Sequence, residues 1–208
     1  MAELATFWDR LADRYAASPI ADQSAYEAKL AETRRHLRPD MDLFEFGCGT
    51  GSTAIVHAPH VRSIHAVDFS RRMLEIARSK AEAAGVGNIA FEQGDIATMA
   101  LPAARYDMVL AMSILHLLSD REAAIRKVHE ILRPGGLFVS STACLGDSPL
   151  RLLRYVAPLG RALGKLPQLG FMTPAQLRDS LTGAGFVIEH DWRPKPGAAL
   201  FLIARKPS

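Results

Sequence analysis

The residues with the most chemistry in this chain lie in one glycine-rich turn. Glu45-Phe46-Gly47-Cys48-Gly49-Thr50-Gly51-Ser52 follows a short apolar run that begins at Asp42. Glycines let a backbone turn sharply and let a ligand come close to it. Between a strand and a helix, such a turn is the mark of a nucleotide-binding crossover. The spacing bears on which nucleotide. A nicotinamide site reads Gly-x-Gly-x-x-Gly and cradles a pyrophosphate. Counted from Gly47, its third glycine would fall at Ser52, yet the glycine comes one residue early, at Gly51. Glu45 stands just before the turn. A carboxylate there repels a pyrophosphate and attracts a sulfonium or ammonium ion. The charge pattern therefore favours a cationic adenosine cofactor, the alternative being a tight turn with no ligand.

Two further carboxylates fit the same site. Asp68 follows the glycines by roughly 20 residues, where a carboxylate can accept hydrogen bonds from both ribose hydroxyls. It could instead cap the next helix, although Ser70 fills that role better. Asp95, in Gln93-Gly94-Asp95-Ile96, can accept from an adenine amino group while the Ile96 N–H faces a ring nitrogen. Taken alone it reads as a turn aspartate. One base stands out, His116 in Ser113-Ile114-Leu115-His116. It follows the fourth apolar strand, and an imidazole titrates near neutrality. Its alternative role is to order that loop. His57, His60 and His65 have no cysteine or carboxylate at a ligand spacing, so no metal site is expected. Cys48 and Cys144 have no base beside them and are not read as nucleophiles.

These side chains need a frame. Short apolar runs at 42–46, 64–67, 89–92, 106–111, 137–141, 186–191 and 198–204 read as strands. Helical stretches separate the earlier ones. Ser70 is a fitting N-cap for a helix over 71–84, with Gly85 as its stop. Ser119-Asp120-Arg121-Glu122 and Thr173-Pro174-Ala175-Gln176 read as capping boxes, and Pro134-Gly135-Gly136 as the end of the helix from Ser119. Before the first strand, Phe7, Leu11 and Tyr15 share a helix face, Ser18-Pro19 breaks it, and a second helix covers about 24–37. Alternation of strand and helix predicts right-handed crossovers and a mainly parallel sheet. The last two strands are joined too closely for a crossover, so they should pair antiparallel. The expected fold is α/β, a Rossmann-like three-layer sandwich with a seven-stranded, mainly parallel sheet and an antiparallel last strand.

Composition narrows the class. The 208 residues suit one domain, with a helical cap over 1–38, and 49% hydrophobic with 23% charged residues is ordinary for a globular protein. Two cysteines suit a reducing compartment. The first residues lack the pattern of a secretory signal, and no apolar run is long enough to span a membrane. A cytoplasmic location is the expectation. The formal charge of +3 is mild and gives no basic stripe for nucleic acid.

The order E-F-G-C-G-T-G, V-D-F-S, Q-G-D-I, Y-D-M-V-L, L-R-P-G-G-L-F resembles the class I S-adenosylmethionine-dependent methyltransferases, in the branch that includes small-molecule and quinone-pathway enzymes. The likeness covers about residues 40–142. It implies S-adenosylmethionine as cofactor and S-adenosylhomocysteine as product. It implies that Gly47, Gly49 and Gly51, with Cys48 and Thr50 between them, line the methionine and ribose. Glu45 would stand near the amino group, Asp68 at the ribose, and Gly94, Asp95 and Ile96 at the adenine. Phe69 and Met73 would add apolar contact, the backbone at Ala111 and Met112 would lie beside the amine, and Tyr15 would close over the cofactor or simply pack. The acceptor is expected to be a small, apolar molecule methylated by in-line displacement. A cofactor-binding sensor or partner subunit without catalysis is the rival reading, and a lipid or quinone methyltransferase at a membrane surface is another.

An insert over 143–172 should choose the acceptor. It is apolar and basic, without an acid after Asp147. It leaves the carboxyl edge of the sheet, where ligands bind in open α/β folds. Leu153, Tyr155, Val156, Leu159 and Leu163 could line an acceptor pocket. Alternatively, residues 148–167 touch an anionic membrane, or the segment packs with its arginines in water.

Overall fold

A computed structural model describes residues 2–162 and 166–208. The chain forms two compact units, residues 1–99 with 106–110 and residues 100–105 with 111–208. Seven strands follow the order β3-β2-β1-β4-β5-β7-β6, which bears out the expected α/β fold. They are β1 (Asp42–Phe46), β2 (Ser63–Asp68), β3 (Ile89–Gln93), β4 (Tyr106–Met112), β5 (Leu132–Thr142), β6 (Val187–Trp192) and β7 (Leu200–Arg205).

In the first unit, β1 runs parallel to β2 and β4, pairing Phe44 with His65 and with Val109. β2 is parallel to β3. Every residue of β1 is buried, as a strand with neighbours on both sides requires. Two of those residues are acids. Asp42 meets the Arg62 guanidinium and the Ser63 hydroxyl. Glu45 has no such pairing on its Oε2.

Helices α1 (Ala2–Ala17), α2 (Gln23–Arg34), α3 (Ser52–His57) and α4 (Arg71–Ala83) complete this unit. α2 is capped by Asp22, whose carboxylate accepts the Ala25 N–H. It ends earlier than the sequence suggests, because the backbone tightens into three-residue turns at His36 and Leu37. α4 begins as expected, with the Ser70 hydroxyl accepting the Met73 N–H, and Gly85 follows it at φ +67°. α1 is tied to that helix start. Asp9 accepts from the Ser70 hydroxyl and the Arg72 N–H, and Asp13 pairs with the Arg72 guanidinium.

In the second unit, β7 is antiparallel to both β5 and β6, as the short connection demanded. α5 (Arg121–Ile131), α6 (Ala157–Ala162) and α7 (Pro174–Gly183) complete the helices. α7 carries the full Thr173–Gln176 capping box. Two expectations need correction. The N-cap of α5 is Asp120, not Ser119, since its carboxylate accepts the Ala123 N–H. Pro134-Gly135-Gly136 does not separate helix from strand but lies inside β5, which starts at Leu132. The end of the chain claims it. Gly135 N–H donates to the Lys206 carbonyl, Lys206 N–H to the Gly136 carbonyl, and Arg205 to the Gly135 carbonyl.

Candidate functional site

The glycine turn between β1 and α3 keeps three residues in the left-handed region, Gly47 at φ +64°, Gly49 at +53° and Gly51 at +73°. Their reasons differ. A Cβ on Gly51 would meet the Ala77 Cβ at 2.9 Å and Phe91 at 3.2 Å, so this glycine lets α4 and β3 close on the turn. A Cβ on Gly49 would meet nothing within 4 Å. That side of the turn is open, and it is the side from which a ligand can reach the backbone.

Asp68, at the carboxyl end of β2, binds the turn together. Its Oδ2 accepts the Gly49 N–H at 2.8 Å and its Oδ1 the Ser70 N–H at 2.9 Å. It thus fixes the loop and the helix start, while Ser70 makes the cap. Burial raises its pKa against the lowering effect of those two bonds. A carboxylate oxygen has room for a second donor, which leaves Asp68 able to accept ribose hydroxyls.

Glu45 is the outlier. It is 1% exposed, and its Oε2 has no hydrogen-bond partner. Burial, helped by the charge of Asp68, pushes its pKa up to about 8. A buried carboxyl without a partner is costly and calls for a cation or a donor. A methionine ammonium, with three N–H donors and a positive charge, fits that demand.

Around this pair the expected residues take definite places. Cys48 N–H donates to the Val67 carbonyl, and burial holds its thiol protonated. Thr50 is buried, and Lys80 from α4 donates to the Ser52 hydroxyl at 2.6 Å. Phe69 is half-buried, with its carbonyl accepting from Gln93, and Met73 is buried in the first turn of α4. Gly94 donates to the Asp68 carbonyl, and a Cβ there would strike the Met99 sulfur. Asp95 makes a turn, its Oδ1 accepting the Ala97 N–H, with Ile96 buried beside it. Tyr15 is 52% exposed and packs edge-on against Trp8, and burial of its hydroxyl end, helped by the charge of Asp68, raises its pKa.

Sequence reasoning missed Tyr26. It sits on α2, hydrogen-bonded to Thr53 of α3 and within electrostatic reach of Glu45 and Tyr15. Nothing local marks it. Its role depends on how α2 lies along α3, which periodicity does not show. Lys80 was missed for the same reason, since its partners precede it by most of two crossovers.

Ala111 and Met112 belong to the second unit, at the end of β4. The next residue, Ser113, has φ +62°, and its N–H donates to the Ser141 carbonyl at 2.7 Å. A non-glycine residue held there is a strained backbone, of a kind that gathers at functional sites. His116 follows in a 3₁₀ turn. Its Nδ1 is buried without a partner, and burial lowers its pKa to about 4. The ring is neutral and only a weak base. The Gly170 N–H donates to its carbonyl at 2.7 Å, so His116 also orders its loop. Among the described residues no group of His, Cys, Asp or Glu could hold a metal ion.

In the insert, Leu153 is half-buried, while Tyr155, Val156 and Leu159 are exposed. Leu163 lies outside the described residues.

Residues 43–136 match the family model described as a methyltransferase domain. The "uncharacterized methyltransferase YcgJ" of Bacillus subtilis (strain 168) is 32% identical over 111 residues, which are 53% of this chain and 42% of that protein. The "Ubiquinone biosynthesis O-methyltransferase" of Azorhizobium caulinodans is 26% identical over 88% of this chain and 76% of its own. Among solved structures, the [4+2]-cyclase SpnF superposes with a TM-score of 0.76 at 21% identity, over 98% of this chain and 94% of that one. The chain spans about half the length of several curated relatives that it matches, YcgJ among them. The glycine turn lies inside the stretch that matches the methyltransferase domain, and the fold is the one seen in the solved structure of SpnF.

Proposed function

We propose that this chain transfers the methyl group of S-adenosylmethionine to a small, apolar acceptor in the cytoplasm. The observation that carries the reading is the buried Glu45 carboxyl, its Oε2 without a partner, beside Asp68 at a turn whose Gly49 side is open. That arrangement asks for a cation and offers acceptors for hydroxyls. It suits a sulfonium nucleoside with a free ammonium better than it suits a pyrophosphate.

When bound, the cofactor supplies a methyl group already activated by the sulfonium. The chain's task is to hold and orient. Glu45 takes the ammonium, Asp68 the ribose, and Asp95 with the Ile96 N–H the adenine. Phe69 and Met73 add apolar contact, and Tyr15 covers the cofactor. Alignment of this sort is worth about 7–11 kcal/mol of barrier. With a pKa near 4, His116 is a poor base for an alcohol. The acceptor is therefore one that ionises easily, such as a phenol or thiol, and gives its proton to water before transfer, with His116 ordering its loop.

Titration calorimetry with S-adenosylmethionine, S-adenosylhomocysteine and a nicotinamide dinucleotide tests the cofactor. Binding of the first two and not the third is expected, and the reverse pattern overturns the reading. Transfer of a labelled methyl to a panel of apolar phenols and thiols tests the reaction. Tight cofactor binding with no transfer to any acceptor would favour a sensor.

A further inference from the structure

The second unit carries a surface that the methyl-transfer site does not use. After Asp147, the 3₁₀ helix Pro149–Tyr155 leads into α6. In a 3₁₀ helix the side chains at i and i+3 stand one above the other. Leu152 and Tyr155 therefore form one row, and Arg151 and Arg154 form the row next to it. Both rows face water. Leu152 is 65% exposed and Tyr155 75%, and the row is extended by Val156 at 55% and Leu159 at 65%. The Arg154 guanidinium lies 5.7 Å from the centre of the Tyr155 ring, and its Nε donates to the Arg151 carbonyl. Arg154 is thus held at the margin of the apolar row, with Arg151 exposed one turn before it. Asp147 is turned to Arg193, and no acid follows it before Asp179.

Isolated exposed apolar residues need no explanation, but four within eight residues do. Burying each would be favourable, and a cationic edge on an apolar ridge matches a lipid surface with anionic headgroups. A second copy of the chain fits poorly. A two-fold contact would set Arg151 and Arg154 against their own counterparts, with like charges meeting. No helix among the described residues is long and apolar enough to cross a membrane, so contact is superficial.

We propose that the ridge Arg151–Leu159 docks on an anionic lipid bilayer, with Leu152, Tyr155 and Leu159 entering the headgroup boundary and Arg151 and Arg154 meeting the anionic headgroups. Only the ridge's purpose, collection of an apolar acceptor from the bilayer, rests on the methyltransferase reading.

Co-sedimentation with phosphatidylcholine vesicles, with and without phosphatidylserine, decides the matter. Binding is expected only with phosphatidylserine, and it should fall as salt shortens the screening length. Arg151→Gln with Arg154→Gln should weaken partition by about 25-fold, at about fivefold for each cation removed. Leu152→Ser with Tyr155→Ser should weaken it by at least about tenfold. Cofactor affinity measured on each variant shows that it is folded. Absence of binding at low salt, or variants that bind like the parent, overturns the proposal. So does a concentration-dependent dimer that these substitutions dissolve, which would assign the ridge to a second copy. Vesicle binding without cofactor affinity would support the ridge and sink the methyltransferase reading, and cofactor affinity without vesicle binding would do the opposite.

Discussion

Glu45 and His57 show how burial sets charge in opposite directions within one unit. Burial raises the Glu45 pKa to about 8, above its ordinary 4.5, so the folded state holds a proton there that the unfolded chain releases. Stability from this group is complete below about pH 4.5 and is lost as pH rises through about 8. The groups facing it are Asp68, which reinforces the shift, the Tyr26 hydroxyl and the Cys48 thiol. A bound ammonium would reverse the preference, so Glu45 should release its proton when S-adenosylmethionine enters. Affinity should then rise with pH by about tenfold per unit up to about 8, and calorimetry in buffers of different ionisation enthalpy should detect the released proton. Glu45→Gln should abolish both effects. A profile unchanged by that substitution would mean that the cation lies elsewhere. His57 has the other sign. It is fully buried, both ring nitrogens lack partners, and its pKa is lowered to about 4 by burial and by Arg34 and His60. The unfolded chain takes up a proton near pH 6.5 and the folded one does not, so stability is lost as pH falls from about 6.5 to about 4. His57→Leu should move the acid-unfolding midpoint to lower pH, as followed by circular dichroism.

At the scale of elements, the two inner glycines of the turn make separable predictions. Gly51→Ala forces a Cβ against Ala77 and Phe91 in a left-handed conformation, and should cost about 1–3 kcal/mol of stability. Gly49→Ala meets no atom, so only the left-handed backbone opposes it, at about 1–2 kcal/mol. Its Cβ would, however, occupy the open side of the turn. Thermal unfolding should be hurt more by the first change and cofactor affinity more by the second; equal effects on both would mean that the open side is not where the ligand lies. The turn was legible in the sequence because glycine spacing and strand periodicity are local. So were the Ser70 and Thr173 caps and Asp68. Long-range pairing was not legible. Pro134-Gly135-Gly136 reads as a break until the chain terminus pairs with it, and Asp120 displaces Ser119 as cap only because of how the backbone enters α5. Tyr26 and Lys80 became site residues through helix packing, which leaves no mark on their own segments. The apolar insert read equally well as a pocket wall or an outer ridge, because hydrophobicity alone does not say which side of a segment faces in.

For the whole molecule, the formal charge of +3 counts Glu45 as ionised, so the protein carries about one positive charge more while that proton is held. Interior groups are pushed towards neutrality throughout: Glu45, Asp68 and Cys48 upward, His57 and His116 downward. That burial limits the base. The fold gives no help in choosing the reaction, since a [4+2]-cyclase shares it. The choice rests on proton accounting. Were His116 a strong general base, His116→Ala would cost about 10²–10⁴ in turnover. With its pKa near 4 and its carbonyl fixed to Gly170, the ring is no sink for the proton of a phenol or thiol, which leaves to water before transfer. For a phenol or thiol, His116→Ala should therefore lower kcat less than about tenfold, leave cofactor affinity unchanged, and leave a pH–rate curve whose rise follows the ionisation of the acceptor. Substituting a series of phenols of different acidity should move that rise along with the phenol. A rise that stays fixed across the series and disappears in His116→Ala would restore the histidine as the base and require cofactor binding to lift its pKa.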